Sequence, residues 1–207
     1  MKVLLLAKNF HDGDEVSEHL KALSEYLVDE GHEATILSFD DGKSYSVSEG
    51  VDVDRVSMYY EGDSLYSWVM MLNNELKKKA REYINREDVE LVHAHDWAAV
   101  PTATAVKQRF EVPVVFTLHS TENERGFESS NAEVISELEW KGAYQAEKLF
   151  VNRKTTYESV KHDLDVPETK ITKLNPLNHG WQEKVVEEYG KMIDKNKKQE
   201  KVEVESQ

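Results

Sequence analysis

The sequence has no cysteine, which excludes disulfides, thiolate metal sites and a thiol nucleophile together. It is also short of basic charge: 26 Lys and Arg stand against 40 Asp and Glu, for a net charge of −14. The pI is near 5.0. A chain of that balance lacks the basic patch that neutralises phosphates, so no nucleic-acid partner is expected. Acidity favours solubility and suits a salty cytoplasm, but it identifies no partner. No apolar stretch is long enough to span a bilayer, and the run after Lys2 is too short for a signal peptide. The expectation is a cytoplasmic protein. The first loop, Lys8-Asn9-Phe10-His11-Asp12-Gly13-Asp14, lacks the GxGxxG of a dinucleotide site, and its acids would repel a pyrophosphate. There is no Walker-type lysine loop. Spacing leaves a Ser–His–Asp triad open, but no nucleophile-elbow sequence accompanies it.

What is present is a chain of 207 residues with 39% hydrophobic and 9% aromatic content, enough for one large domain with a sizeable core. Neither an internal linker nor a repeat of solenoid period divides it. Lys2–Ala7 (KVLLLA) reads as a central strand buried on both faces. Glu15–Glu30 carries Val16, Leu20, Leu23 and Leu27 at helical spacing, with Gly31 as its C-cap. Glu33–Phe39 and Val51–Tyr60 read as strands around an Asp/Gly/Ser-rich loop. Asp63 is the expected cap of a helix to about Asn85, on which Lys77–Lys79 is a solvated face. Further on, Asn131 caps a helix to about Lys148, Leu149–Asn152 is a strand, Lys154–Leu164 a helix and Lys170–Leu174 the last strand. Trp181, Val185, Tyr189 and Met192 form one stripe of a final helix to about residue 193. The tail 194–207 is charged, without periodicity, and expected to be unstructured. Strands alternating with helices predict a doubly wound parallel α/β sheet with helices on both faces.

The chemistry concentrates between Glu87 and Glu122. Two apolar runs, Val89–Val92 and Val112–Leu118, end in His93-Ala94-His95-Asp96-Trp97 and in His119-Ser120-Thr121-Glu122, with a helical Ala98–Phe110 between them. Such a unit is a right-handed crossover, so the strands are parallel neighbours and both clusters lie at carboxyl ends, where open sheets place their sites. Asp96 and His119 are the primary candidates, since carboxylate accepts from hydroxyls and imidazole donates or accepts. Metal ligation by His93, His95 and Asp96 is the weaker reading, because no further ligand follows at a recognisable spacing. The bland alternative packs one of these histidines on Trp97. By composition, Glu122, Glu124 and Arg125 belong to a solvated polar loop, Thr121–Ser130.

In order and spacing, KVLLLA, GHEATILS, VHAHDW, VPVVFTLHSTE and SELEWKGAYQAEKLFVN resemble the N-terminal domain of GT-B glycosyltransferases of the glycogen/starch synthase and family 4 kind. The resemblance implies a Rossmann-like domain and transfer, with retention, of a sugar from a nucleotide-sugar to an acceptor hydroxyl. It implies no obligatory metal and no bound cofactor, the nucleotide-sugar being a co-substrate. Residue by residue it places Asp96 near the acceptor, His119 against the donor sugar and Asn175 at the hinge. His95, Trp97, Glu122 and Arg125 join these as candidate substrate-binding residues. Three departures stand out. Asp12-Gly13-Asp14-Glu15 replaces the family's glycine pair, Pro176 follows the hinge asparagine, and too few residues follow Asn175 for the family's donor-binding domain. The expectation is therefore an acceptor-side half, closed by a Trp181-led helix similar to the family's C-terminal crossing helix and inactive alone. Its expected partners are a glycan or small hydroxyl acceptor and a separately encoded donor domain or a second copy. The alternatives are a non-catalytic carbohydrate-binding or regulatory module and, more distantly, a metal-dependent hydrolase.

Overall fold

The computed structural model describes residues 1–126 and 130–205, with side chains through 199. The first strand, β1 (Lys2–Asn9), is almost wholly buried, because an all-parallel sheet covered on both faces leaves its central strands no wet side. Its successors in chain order are α1 (Glu15–Asp29), β2 (Glu33–Phe39), β3 (Val51–Val56), α2 (Leu65–Glu87), β4 (Leu91–His95) and α3 (Val100–Phe110). They are followed by β5 (Val114–Leu118), α4 (Ala132–Gln145), β6 (Lys148–Val151), α5 (Lys154–His162), β7 (Ile171–Lys173) and α6 (Trp181–Glu205). The sheet order is β3-β2-β1-β4-β5-β6-β7, and every pairing is parallel. The fold is the expected doubly wound, Rossmann-like α/β sheet, with β1, β4 and β5 side by side at its centre.

Strand alternation divides the core in two. Leu4, Leu6, Val92, Ala94, Val114 and Phe116 point to one face, where they meet residues of α2, α3, α4 and α5. Val3, Leu5, Ala7, Leu91 and Val115 point to the other, against Leu20, Leu23 and Leu27 of α1 and Trp181, Val185, Tyr189 and Ile193 of α6. On the first face α4 approaches closely only because residue 142 is glycine. A Cβ there would lie 2.6 Å from Val100 Cγ2 and 2.8 Å from Phe116 Cε1.

Local chemistry sets the boundaries. Asp14 caps α1 by accepting from Ser17 N at 2.9 Å, and Gly31 leaves the helix with φ of 78°, a conformation that costs other residues. The cap of α2 is Ser64, not Asp63: Ser64 and Ser67 form a reciprocal capping box. β3 ends at Val56, short of the expected Tyr60, where the pairing with β2 ends. β5 starts at Val114, because Pro113 has no N–H to give the ladder. β4 starts at Leu91 and continues through His95, so three residues expected beyond the strand, His93, Ala94 and His95, are part of it. The largest departure is α6, which runs to Glu205 where an unstructured tail from Asp194 was expected. Buried Ile193 extends its apolar stripe, Lys197 pairs with Glu90 at 2.7 Å, and the Lys, Glu and Gln of the tail are good helix formers.

Candidate functional site

Between β1 and β4 the strand order reverses, and ligands of open α/β sheets sit outside the carboxyl ends of the strands there. At that point the face toward α1 and α6 changes from apolar to polar. Alternation puts His93 and His95 of β4 on it, beside Thr117 of β5. His119 and Asn152 follow β5 and β6 directly. His19, on the second turn of α1, and Trp181 and Tyr189 of α6 cover them. His93, His95 and His119 are buried, as is His19.

The rings form a connected stack. His93 Nε2 meets Thr117 Oγ1 at 2.7 Å, and its Nδ1 meets the Tyr189 hydroxyl. His95 Nδ1 lies 3.2 Å from His119 Nε2, and His119 Nδ1 lies 3.1 Å from the Asn152 amide. His19 stacks on Trp181 with centroids 4.2 Å apart and stands edge-on to His119 at 4.9 Å. Neither ring nitrogen of His19, nor Nε2 of His95, has a hydrogen-bond partner. Burial, reinforced by the neighbouring imidazoles, lowers the pKa of His93 to about 3 and holds those of His19 and His95 well below the usual value. The rings of His19, His93 and His95 are therefore neutral at physiological pH, each with a nitrogen lone pair. One ligand atom from each of His19, His95 and His119 lies within 4.8 Å of the others.

Asp96 closes β4 with φ 57° and ψ 169°, a region that non-glycine residues enter only when the surroundings enforce it. Its N–H donates to Thr117 O at 2.9 Å, and its Oδ1 accepts from His119 N at 2.9 Å. The carboxylate thus ties the ends of β4 and β5 together while remaining half-buried at their mouth.

The segment after His119 is not the solvated loop that its composition suggests. Glu122 is 5% exposed, and its N–H donates to both carboxylate oxygens of Glu139, at 3.0 and 2.9 Å. Arg125 bridges Glu122 Oε2 and Glu139 Oε1, both at 2.8 Å. Burial pushes Glu139 up to about 7, against the opposing pull of the Glu122 N–H and the Arg125 guanidinium. Residues 127–129 of the expected loop lie outside the described residues. Trp97 is buried with Val69, Ala98 and Ile135, on the α2 and α4 side, and it is Trp181 that stacks on a histidine. Asn175 is exposed, its hydrogen bonds serving the turn to Leu177 and Asn178.

The structure thus joins His95, Asp96 and His119 at the carboxyl ends of β4 and β5, with Glu122 and Arg125 following in the segment after His119. Sequence reasoning missed His19. It sits one position before Leu20 in an amphipathic helix, and only the direction of that helix over the sheet carries it to the cluster. His93, weighed as a ligand, is a fully bonded interior group.

Residues 16–175 match the Glycosyltransferase Family 4 domain. An uncharacterized glycosyltransferase of Methanocaldococcus jannaschii is 29% identical, over 81% of this chain and 45% of its own length. The glycogen synthase of Mycobacterium tuberculosis is 30% identical over 52% of this chain and 30% of its own. The chain therefore spans less than half the length of the curated relatives it matches. Among solved structures, sucrose-phosphate synthase of Thermosynechococcus elongatus superposes with a TM-score of 0.67 at 13% identity, covering 84% of this chain and 48% of that one. A second structure of that protein covers 93% of this chain and 97% of its own, with a TM-score of 0.63 at 16% identity. With the family matched over most of its length and the fold shared with GT-B structures, this chain belongs to Glycosyltransferase Family 4, as an N-terminal GT-B domain.

Proposed function

We propose that the domain is the acceptor-side half of a retaining glycosyltransferase cleft. The observation that carries this reading is Asp96, held in an enforced backbone conformation at the switch point with its carboxylate on the His119 amide. A pre-set carboxylate at a strand mouth accepts the hydrogen bond of an acceptor hydroxyl and aligns it. His119, next to it, meets the donor sugar. In the transfer, the bond from the anomeric carbon to the diphosphate breaks and a bond to the acceptor oxygen forms on the same face. The hydroxyl proton leaves with the diphosphate. The developing charge on that diphosphate needs donors that this face does not supply, since its first loop presents Asp12 and Asp14. Turnover accordingly requires a second, donor-binding domain across the cleft, provided by another chain or segment. The acceptor is a glycan or a small hydroxyl compound, and the nucleotide-sugar is a co-substrate.

Two measurements on the 207-residue chain test this. With uridine, adenosine and guanosine diphosphate sugars and oligosaccharide acceptors, no acceptor-dependent release of nucleoside diphosphate is expected. Amide resonances of Asp96, His119 and their neighbours should shift on adding oligosaccharide to wild type but not to Asp96→Asn. Steady diphosphate release by the chain alone would overturn the half-cleft reading. Silence of those amides toward every acceptor tried would overturn the acceptor-side assignment.

A further inference from the structure

The geometry points to a divalent metal site of the zinc type, made by His19, His95 and His119 and shaped for one late first-row cation. These residues come from α1, β4 and the end of β5, and each presents a buried imidazole. Imidazole is the ligand such metals favour, and a three-histidine set with one open position is an established zinc arrangement. The separation of the inner pair fits directly. Nitrogens bound to zinc at about 2.0–2.1 Å with tetrahedral angles stand about 3.3–3.4 Å apart, and His95 Nδ1 and His119 Nε2 are 3.2 Å apart. One nitrogen of His19 lies within 4.8 Å of one nitrogen each of His95 and His119, so His19 completes the set when its ring moves inward by about 1.5 Å.

The polar bookkeeping of the pocket points the same way. A buried imidazole with neither nitrogen bonded is costly unless something binds it, and His19 is in that state. The Asn152 amide supplies the outer support. Its oxygen is buried without a partner while its nitrogen faces His119 Nδ1. Turned over, the amide puts that oxygen on an Nδ1–H and leaves the Nε2 lone pair of His119 aimed at the metal. A ligating histidine that donates its second N–H to a carbonyl is the usual outer arrangement. Trp181, stacked on His19, holds the α1 ligand over the sheet. His93 is excluded, because Tyr189 and Thr117 occupy both its nitrogens.

The proposal does not rest on the transferase reading, since metal uptake is measured with neither donor nor acceptor present. The chain, free of any histidine tag, is stripped with chelator and titrated with Zn2+ and with Co2+. One equivalent of zinc should survive dialysis, melting should move upward, and Co2+ should give the visible bands of a tetrahedral site. His19→Phe keeps an aromatic ring under Trp181 and should lower zinc affinity at least a hundredfold while remaining folded. Asn152→Ala should lower it about 10–100-fold. Imidazole nitrogen resonances of His95 and His119 in the wild type should shift with the first equivalent. Failure of the folded wild type to retain zinc or develop cobalt bands would overturn the site. So would unchanged uptake in His19→Phe, or, if that variant does not fold, first-equivalent shifts confined to His11, His32, His162 and His179.

Discussion

Removing the indole at position 181 tests how α6 is held and what it covers. Trp181 is the first residue of α6 and is 7% exposed. Its ring lies on His19 at a 4.2 Å centroid separation and 25° between planes, and Val185, Tyr189 and Ile193 continue the buried stripe. Trp181→Ala loses the transfer free energy of a large aromatic and leaves a cavity, about 3–5 kcal/mol for such core sites. A helix terminus can settle more than a mid-core position, so the lower end, about 3 kcal/mol, is expected; the lost ring stack is part of that figure. Against a total of about 5–15 kcal/mol the change is large. With a urea slope of about 2–3 kcal/mol/M for a chain of this size, the midpoint should fall by about 1–1.5 M. Trp140→Ala is the control, since that ring is 47% exposed on α4. If both variants fall within about ±0.5 kcal/mol of wild type, as surface changes do, α6 is not packed as described.

Two further outcomes follow from the polar face. Tyr189→Phe keeps the ring but removes the hydroxyl on His93 Nδ1, leaving a buried nitrogen unpaired. The expected loss is about 1–3 kcal/mol by urea unfolding, and a change below about 0.5 kcal/mol would show the contact to be idle. Acid should weaken the metal-free chain for a different reason. His19, His93 and His95 have folded pKa values below the unfolded value of about 6.5, so below that pH the unfolded chain binds more protons. Their contribution is complete above about pH 6.5 and is lost as pH falls toward the folded values, at up to about 1.4 kcal/mol per pH unit for each ring. Glu139, raised from 4.5 to about 7, acts in the opposite sense: between those values the native state keeps its proton, which offsets roughly one ring. Urea midpoints that stay level from pH 7 to pH 5 would contradict this balance.

The sheet was legible because its signal is local. KVLLLA, Glu33–Phe39 and the run into Leu118 are apolar without alternation, and each parallel neighbour follows from the crossover rule. The stripe Trp181, Val185, Tyr189 was legible for the same reason, as helical periodicity survives in any context. Positions that depend on a distant partner were not. Glu122 reads as loop surface until Glu139, seventeen positions on, folds back to take its N–H. Lys197 reads as tail until Glu90 on the far side of the chain meets it. His19 has no pattern of its own. Asp96 was found by its place at a strand end, but its positive φ could not be: a non-glycine residue takes that conformation under tertiary constraint, which leaves no mark in the residue type.

The same distinction separates satisfied from unsatisfied histidines within the cluster. His93 is as buried as a leucine and both its nitrogens are bonded, to residues of β5 and α6. Satisfied in this way, it fixes the register of α6 over the sheet and has no capacity left for a ligand. His119 also has a contact at each nitrogen, to His95 and Asn152, whereas His95 has one nitrogen engaged and one without a partner. His19 has neither nitrogen bonded and lies among the rings of His95, His119 and Trp181. A fold that satisfies His93 completely and leaves His19 and His95 short is not economising on hydrogen bonds in general, since Thr117 and Tyr189 were available to His93. Buried groups are left short where they are held for something that binds, and local rules are broken at functional sites. The shortfall adjoins the enforced Asp96, at the point where the strand order reverses and under the N-terminal end of α6.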